Sequence, residues 1–298
     1  QEVRVQDLLS QMTDEEKAGT LIFACVFGSN GSTVSALEGD QDQSHNGVTA
    51  KGTPYVDDSE TCLYSTEVTE TVSGTTVIPM AYQIQETNVS TFIAAFTGYP
   101  KDQLDTFNAI QGIAEESRLG IPVVFSGDRV YNTWGGMVDM AHYALGVAHD
   151  EDLLYELVSE YAKETAALGY NQTFHGYGNE IGSFYGDNPE YIAEMSATET
   201  KAYQDNGISA HSKHFIARGG RNSYANAKSD ADLLDSWMIG WKAVVDAGTD
   251  YIMTNNNEGI TEGVQGYMDK DTYALLRDKL GYDGVVCLDW PLDISWIM

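Results

Sequence analysis

The chain has 298 residues, of which 42% are hydrophobic and 20% are charged, so it can bury a sizeable core as one large domain or two small ones. Its 45 acidic residues outnumber its 16 basic ones, and a net charge of −29 makes binding to nucleic acid or an anionic membrane unfavourable. No run of about 18 apolar residues occurs that could span a membrane, and no basic-then-apolar leader stands at Gln1, as expected for a mature secreted chain.

The amino-terminal part predicts one helix and one buried strand. Thr13 and Glu16 have the spacing of a capping box, in which each side chain satisfies a backbone donor at the start of a helix. The apolar run 21–26 then predicts a strand that is covered on both faces. Residues 28–90 are rich in Ser, Thr, Gly and Asp and lack helical periodicity, so we interpret them as an insertion with short strands.

From residue 91 onward the pattern becomes regular, and helices alternate with short apolar strands. Units of this kind predict a parallel sheet, because each crossover helix returns the chain to the same end. The predicted helix and strand pairs are 103–117 with 121–125, 152–167 with 170–174, 189–206 with 208–215, 230–247 with 251–253, and 271–280 with 284–288.

Polar residues follow almost every predicted strand, namely Asp128 and Arg129, His175, Lys213 and His214, Asn255 to Asn257, and Asp289. In a closed barrel the carboxyl ends of all strands meet at one mouth, which is the usual active site of that fold. A doubly wound sheet instead binds its ligand at one switch point, normally beside a Gly-rich phosphate loop, and no such loop occurs. We therefore predict an α/β fold of the TIM-type (β/α)8 barrel class.

Five motifs occur in a fixed order across nearly the whole chain: LLSQMTDEEKAG at 8–19, SRLGIP at 117–122, ETAALGYN at 164–171, Lys213-His214-Phe215, and VVCLDW at 285–290. In this order they resemble the N-terminal barrel domain of glycoside hydrolase family 3, the β-glucosidase and β-N-acetylhexosaminidase family. Only residues 28–90 fall outside the resemblance.

The resemblance implies roles for four residues. Asp289 takes the position of the catalytic nucleophile, while Asp128, Lys213 and His214 take positions that hold sugar hydroxyls. Arg129 and Trp290 are added as substrate-binding candidates, Trp290 because aromatic faces stack on sugar rings. A retaining glycosidase needs an ionised carboxylate as nucleophile and a second carboxyl group about 5 to 5.5 Å away as acid/base.

Four of these residues also have a simpler interpretation. Asp289 can cap the next helix, His214 can be a core histidine, and Asp128 with Arg129 can be a structural ion pair. Neither a metal nor a cofactor is expected, because the three cysteines are scattered and the histidines and acidic residues match no standard ligand spacing.

Three stretches depart from the family pattern. Residues 176–189 contain no arginine where the family usually has one before a Gly-Glu-Asp-Pro turn. The run Asn255 to Asn257 stands where many members have an aromatic residue, and Arg129 to Asn132 replaces a usual His-Gly ending. These changes indicate a remodelled sugar subsite, and either the substrate differs from glucose or the selection on hydrolysis is relaxed.

The sequence predicts about six barrel strands, whereas a closed barrel needs eight. We expect residues 1–298 to be a single barrel domain of a longer protein, with 28–90 as an insertion. A missing C-terminal domain or a second chain would complete the fold and supply the acid/base. The leading hypothesis is a secreted retaining β-glycosidase, and the alternative is a weak or inactive carbohydrate-binding or structural surface protein of the same fold.

Overall fold

A computed structural model describes residues 2–29, 32–34, 64, 66–67, 69–70, 76–77, 79–97, 100–128, 142–175, 185–186, 188–216, 231–255, 259–261 and 263–289. The chain divides into two compact units, residues 1–137 with 165–171 (unit 1) and residues 138–164 with 172–298 (unit 2). No helix in the described part is long and apolar enough to cross a membrane.

Unit 1 is built on a parallel three-stranded core. Its elements are α1 (Glu2–Gln11), α2 (Asp14–Thr20), β1 (Phe23–Ser29), β2 (Ser32–Val34), β3 (Thr69–Glu70), β4 (Thr76–Val77), a π-helical turn (Tyr82–Glu86), β5 (Thr91–Thr97), α3 (Pro100–Glu115) and β6 (Val124–Asp128). Strand β5 pairs in parallel with β1 on one side and β6 on the other, and β2 adds antiparallel to β1. The short strands β3 and β4 pair with each other, in the segment where short strands were predicted.

The predicted capping box at the start of α2 is confirmed. The backbone N–H of Glu16 donates to the Thr13 hydroxyl (3.2 Å), and the backbone N–H of Thr13 donates to the Glu16 carboxylate (2.8 Å). The Arg118 Nε also donates to Glu16 Oε1 (2.6 Å), and this hydrogen bond lowers the pKa of Glu16. Glu16 therefore ties the start of α2 to the turn that follows α3.

Strand β5 was missed by the sequence analysis, which predicted no strand between residues 91 and 103. Its side chains Phe92 and Ala94 are fully buried and pack in the same core as Ile110 and Phe125. Among the described residues, unit 1 has three parallel strands and unit 2 has four. The total of seven is one more than the six that the sequence predicted.

Unit 2 repeats the helix and strand alternation that the sequence predicted. Its elements are α4 (His142–Ala148), α5 (Glu151–Ala167, with residues 165–167 in unit 1), β7 (Gln172–His175), α6 (Pro189–Asp205), β8 (Ser209–Phe215), α7 (Ala231–Asp246), β9 (Tyr251–Thr254), a 3₁₀ turn (Gly266–Met268), α8 (Lys270–Ala274) continued by a π-helical turn (Leu275–Lys279), and β10 (Val285–Cys287). All neighbouring pairs from β7 to β10 are parallel.

The register of these four strands separates two faces. Ile252 and Val286 lie on the face covered by helices, where they pack in one core with Trp237, Trp241 and Leu276. Because side chains alternate along a strand, the opposite face carries the residues in between. On this face, four pairs of residues stand opposite each other on neighbouring strands: Phe174 with His211, His211 with Tyr251, Lys213 with Met253, and Met253 with Cys287.

The helices α5 and α6 end in the same way before the following strand. Gly169 N–H donates to Ala166 O and Tyr170 N–H to Thr165 O, and Gly207 and Ile208 make the equivalent pair of bonds at the end of α6. This is the Schellman arrangement, which needs a left-handed residue, and φ is +90° at Gly169 and +81° at Gly207. The two glycines differ in their surroundings, since a Cβ on Gly169 would lie 2.7 Å from Phe107 Cδ2, whereas one on Gly207 would meet no described atom within 4 Å.

We expect Gly169→Ala to destabilise the protein by about 2 to 4 kcal/mol, because the left-handed strain adds to a clash with the Phe107 ring. Gly207→Ala is the matched control and should cost only the strain, about 1 to 2 kcal/mol. Denaturant unfolding of both variants measures the difference. Equal losses would show that packing against Phe107 does not constrain the Gly169 turn.

Candidate active site

Strands β8 and β10 bring three of the predicted site residues together in unit 2. Lys213 and His214 lie near the carboxyl end of β8, and Asp289 follows β10 by two residues. All three are buried, with exposed fractions of 7%, 3% and 2%. Buried ionisable side chains are rare unless other groups offset their charge, so their concentration at one edge marks a specialised site.

His214 and Asp289 are in direct electrostatic contact. His214 Nε2 lies 3.8 Å from Asp289 Oδ2, which is too long for a hydrogen bond but within ion-pair range when the ring is protonated. The two groups come from strands that are separated by β9. Their approach therefore depends on the alignment of three consecutive strands.

Lys213 lies on the strand face that also carries Cys287, since both residues are aligned with Met253 of β9, and Asp289 follows Cys287 by two residues. Burial raises the pKa of Cys287 to about 12, the charge of Asp289 raises it as well, and the charge of Lys213 acts in the opposite direction. Lys213 Nζ also lies 4.7 Å from the centroid of the Phe174 ring on β7, which is a cation–π contact.

The strand that carries Lys213 and His214 is irregular at this point. The pairing of β8 with β9 shifts between Lys213 and Phe215, so the simple alternation of faces that adjacent residues normally show is interrupted. Lys213 contacts Phe174 while His214 approaches Asp289, and both are buried. The irregularity brings two consecutive side chains into one site.

A polar group lies two residues before Lys213 on the same strand. His211 is fully buried, and its Nδ1 is 3.2 Å from Gln172 Oε1. Burial lowers the pKa of His211 well below its ordinary value, and electrostatic interactions with Lys213, His175 and His214 act in the same direction. His211 is therefore neutral and acts as a hydrogen-bonding group.

The segment after β9 is held by Asp269. Its carboxylate accepts hydrogen bonds from Thr261 N–H, Thr261 Oγ1, Asp271 N–H and Thr272 Oγ1, at 2.8 to 3.1 Å. Burial acts to raise the pKa of Asp269, but these hydrogen bonds lower it overall. At the start of the segment, Asn255 is buried and its N–H donates to Phe215 O (2.8 Å), which fixes it to the end of β8.

The other predicted site residues are described only in part. Asp128 is the last residue of β6 in unit 1, and Arg129 and Trp290 lie outside the described residues. Residues 176–184 and 256–258, where the sequence departs from the family pattern, also lie outside them. Sequence reasoning did not select Phe174, His211 or Cys287, although their alternation with Thr173, Ser212 and Leu288 is the signal that places them on the face of Lys213 and Asp289.

Among the described residues, no group of three or more His, Cys, Asp or Glu side chains is arranged to hold a metal ion.

Parallel strands with intervening helices define an α/β protein, and Lys213, His214 and Asp289 lie buried near or just after the carboxyl ends of two of these strands. Residues 80–295, which are 216 of the 298, match the model of the glycosyl hydrolase family 3 N-terminal domain. The chain belongs to this family. The predicted resemblance is confirmed.

Individual relatives support the same placement. The chain is 27% identical to β-glucosidase C of Emericella nidulans, over 97% of this chain and 46% of that protein. Among solved structures, a family 3 β-N-acetylglucosaminidase from Paenibacillus is 24% identical with a TM-score of 0.59 over 70% of this chain and 45% of that one. A family 3 glycosyl hydrolase from Mycobacterium smegmatis has a TM-score of 0.63 at 14% identity, over 94% and 77%. These likenesses confirm the predicted barrel class, and the chain spans less than half the length of the curated relative.

The raised pKa of Cys287 has a consequence for stability at alkaline pH. The thiol has an ordinary pKa near 9 and a folded-state pKa of about 12. Its contribution to the free energy of unfolding is therefore complete below pH 9 and is lost as the pH rises towards 12. We expect Cys287→Ala and Cys287→Ser to lose less unfolding free energy between pH 8.5 and about 11 than the wild type, by up to roughly 1.4 kcal/mol per pH unit.

Denaturant unfolding at several pH values measures this difference. The other two cysteines and the tyrosines titrate in all three proteins, so their effects cancel in the comparison. Parallel pH profiles for the wild type and both variants would show that the Cys287 thiol is not held protonated by its surroundings.

Proposed function

We propose that this chain is the barrel domain of a retaining β-glycosidase in which Asp289 is the nucleophile. The observation that carries the proposal is the buried Asp289 side chain after β10, with Oδ2 3.8 Å from His214 Nε2, in a family 3 domain. A carboxyl group at the carboxyl edge of parallel strands lies where barrel enzymes carry out chemistry.

The reaction assigned to Asp289 proceeds in two displacements. Its carboxylate oxygen attacks the anomeric carbon and forms a glycosyl ester while the bond to the leaving oxygen breaks and a second carboxyl group protonates that oxygen. The same carboxyl group then removes a proton from water, which attacks the anomeric carbon and releases Asp289. The net result is hydrolysis with retention of configuration.

The proton donor is proposed to come from a C-terminal domain or a second chain. The chain corresponds to 46% of β-glucosidase C from Emericella nidulans, so a complete protein of that length has room for a further domain. The donor would have to bring its carboxyl group to about 5 to 5.5 Å from Asp289.

Lys213 and His214 are proposed to bind hydroxyl groups of the sugar, together with Asp128, Arg129 and Trp290. An ammonium group offers three hydrogen-bond donors and an imidazole offers one or two, which suits the vicinal hydroxyls of a pyranose. The first substrates to test are β-glucosides, because several relatives are β-glucosidases or probable β-glucosidases. N-acetyl-β-glucosaminides come next, since a structural neighbour is a β-N-acetylglucosaminidase.

An extracellular or cell-surface location is also proposed. It is supported by the composition, in which 18 tyrosines and 29 glycines accompany only 16 basic residues. Fractionation of producing cells with an antibody to the chain tests it, and recovery of the protein in the cytoplasmic fraction alone would contradict it.

We expect Asp289→Asn to lower kcat on aryl β-glucosides by at least about a thousandfold, because the amide cannot form the glycosyl ester. Asp250→Asn is the matched control, since Asp250 is an exposed aspartate just before β9 in the same unit, and it should leave kcat unchanged. Both variants are compared with the wild type as the full-length protein.

These measurements distinguish a retaining β-glycosidase from a carbohydrate-binding protein of the same fold. Undiminished turnover by Asp289→Asn would remove the assignment of Asp289 as nucleophile. Absence of turnover in the wild type, with retained binding of a monosaccharide, would favour the carbohydrate-binding alternative.

We expect Lys213→Met to lower kcat/KM by about tenfold to a hundredfold, which is the range for the loss of one charged hydrogen bond to the substrate. Methionine keeps the apolar stem and removes the ammonium group, so the variant should fold. Steady-state kinetics measures the effect, with Lys242→Met, an exposed lysine of α7, as the control. An unchanged kcat/KM would exclude Lys213 from substrate binding.

A further inference from the structure

The position of the Lys213 ammonium group requires an explanation. Lysine has four rotatable bonds and no preferred binding geometry of its own, so a sugar-binding lysine needs neighbours that hold its head group. If the lysine side chain is already ordered in the free protein, less conformational entropy is lost when the sugar binds.

Phe174 is the described neighbour with the right geometry. Its ring, on β7, is 2% exposed, and its centroid lies 4.7 Å from Lys213 Nζ. The face of an aromatic ring carries negative potential, so it attracts a cation placed over it, and the attraction strengthens when water is excluded. Both partners are buried, which meets that condition.

The Phe174 ring is itself fixed by His211. Phe174 and His211 are aligned in the β7 and β8 pairing, and their rings meet edge to face with centroids 4.5 Å apart. His211 is in turn held by Gln172, one strand away and two residues before Phe174. Since His211 is neutral, it can pack beside the ring without repelling the Lys213 cation.

We propose that Phe174 is a positioning residue that holds the Lys213 ammonium group through its ring face, with His211 fixing the ring. This proposal rests on the assignment of Lys213 to substrate binding. The Lys213 ammonium group, a hydrogen-bond donor to the sugar, is thus in position before the substrate binds. Phe174 and His211 affect the affinity for the sugar through Lys213 and not by direct contact.

The test changes the ring potential without changing the ring shape. A ring-fluorinated phenylalanine of nearly the same size is introduced at position 174 by amber suppression in the full-length protein, both in the wild type and in Lys213→Met. The same replacement at Phe92, a buried core residue of β5, is the control.

We expect fluorination of residue 174 to raise KM about three- to tenfold with a smaller change in kcat, because the contact favours binding of substrate and transition state alike. In the Lys213→Met background the same replacement should change neither parameter. Phe174→Leu, which removes the ring, should follow the fluorinated protein, and fluorination of Phe92 should leave KM unchanged.

A second measurement separates this proposal from the proposed function. The denaturation midpoint should fall further on fluorination of residue 174 when Lys213 is present than when it is methionine, whether or not the protein hydrolyses glycosides. If the midpoint shifts equally in both backgrounds, Phe174 does not hold Lys213. If the midpoints show the coupling but no glycoside is turned over, the contact stands and the glycosidase assignment fails.

Discussion

Charged groups in a protein interior must be offset by other charges or by hydrogen bonds, and this requirement governs unit 2 more than any other. Lys213 and Asp289 are both more than nine-tenths buried, and leaving either charge without compensation would cost several kcal/mol. Lys213 and Cys287 are both aligned with Met253 of β9, and Asp289 follows Cys287 by two residues. The register of β8, β9 and β10 therefore decides how these charged side chains are placed.

The alignment comes from elements that have no chemical role. β9 lies between β8 and β10, and its register with both sets the height of Lys213 and Cys287 relative to Met253. On the opposite face of the sheet, Ile252 packs in a core with Trp237, Trp241 and Leu276 of the covering helices. The site is thus precise because the apolar face of the same strands is well packed, which is the usual relation between a rigid scaffold and the groups at its strand ends.

The sequence was informative where periodicity and motif coincided, and less so where a residue depends on register. The location of Lys213 and His214 could be predicted because the motif Lys213-His214-Phe215 closes a strand that follows a helix, and that of Asp289 because it follows the apolar strand β10. β5 was missed because its apolar run directly follows a long polar stretch, without the helix that introduced the other predicted strands. Phe174 and His211 could not be selected from the sequence, since a buried aromatic and a buried histidine acquire their roles only when two strands, 37 residues apart in the Phe174 and His211 pair, are placed side by side.

The protonated state of Cys287 has a chemical consequence beyond stability. Peroxide and other oxidants react with thiolates far faster than with thiols, and a sulfinic or sulfonic acid at this position would place a permanent extra negative charge beside Asp289. Burial and, to a smaller extent, the neighbouring carboxylate raise the pKa of the thiol, which lowers its thiolate fraction at neutral pH below that of an exposed cysteine. The surroundings of Asp289 therefore slow the oxidation of this sulfur.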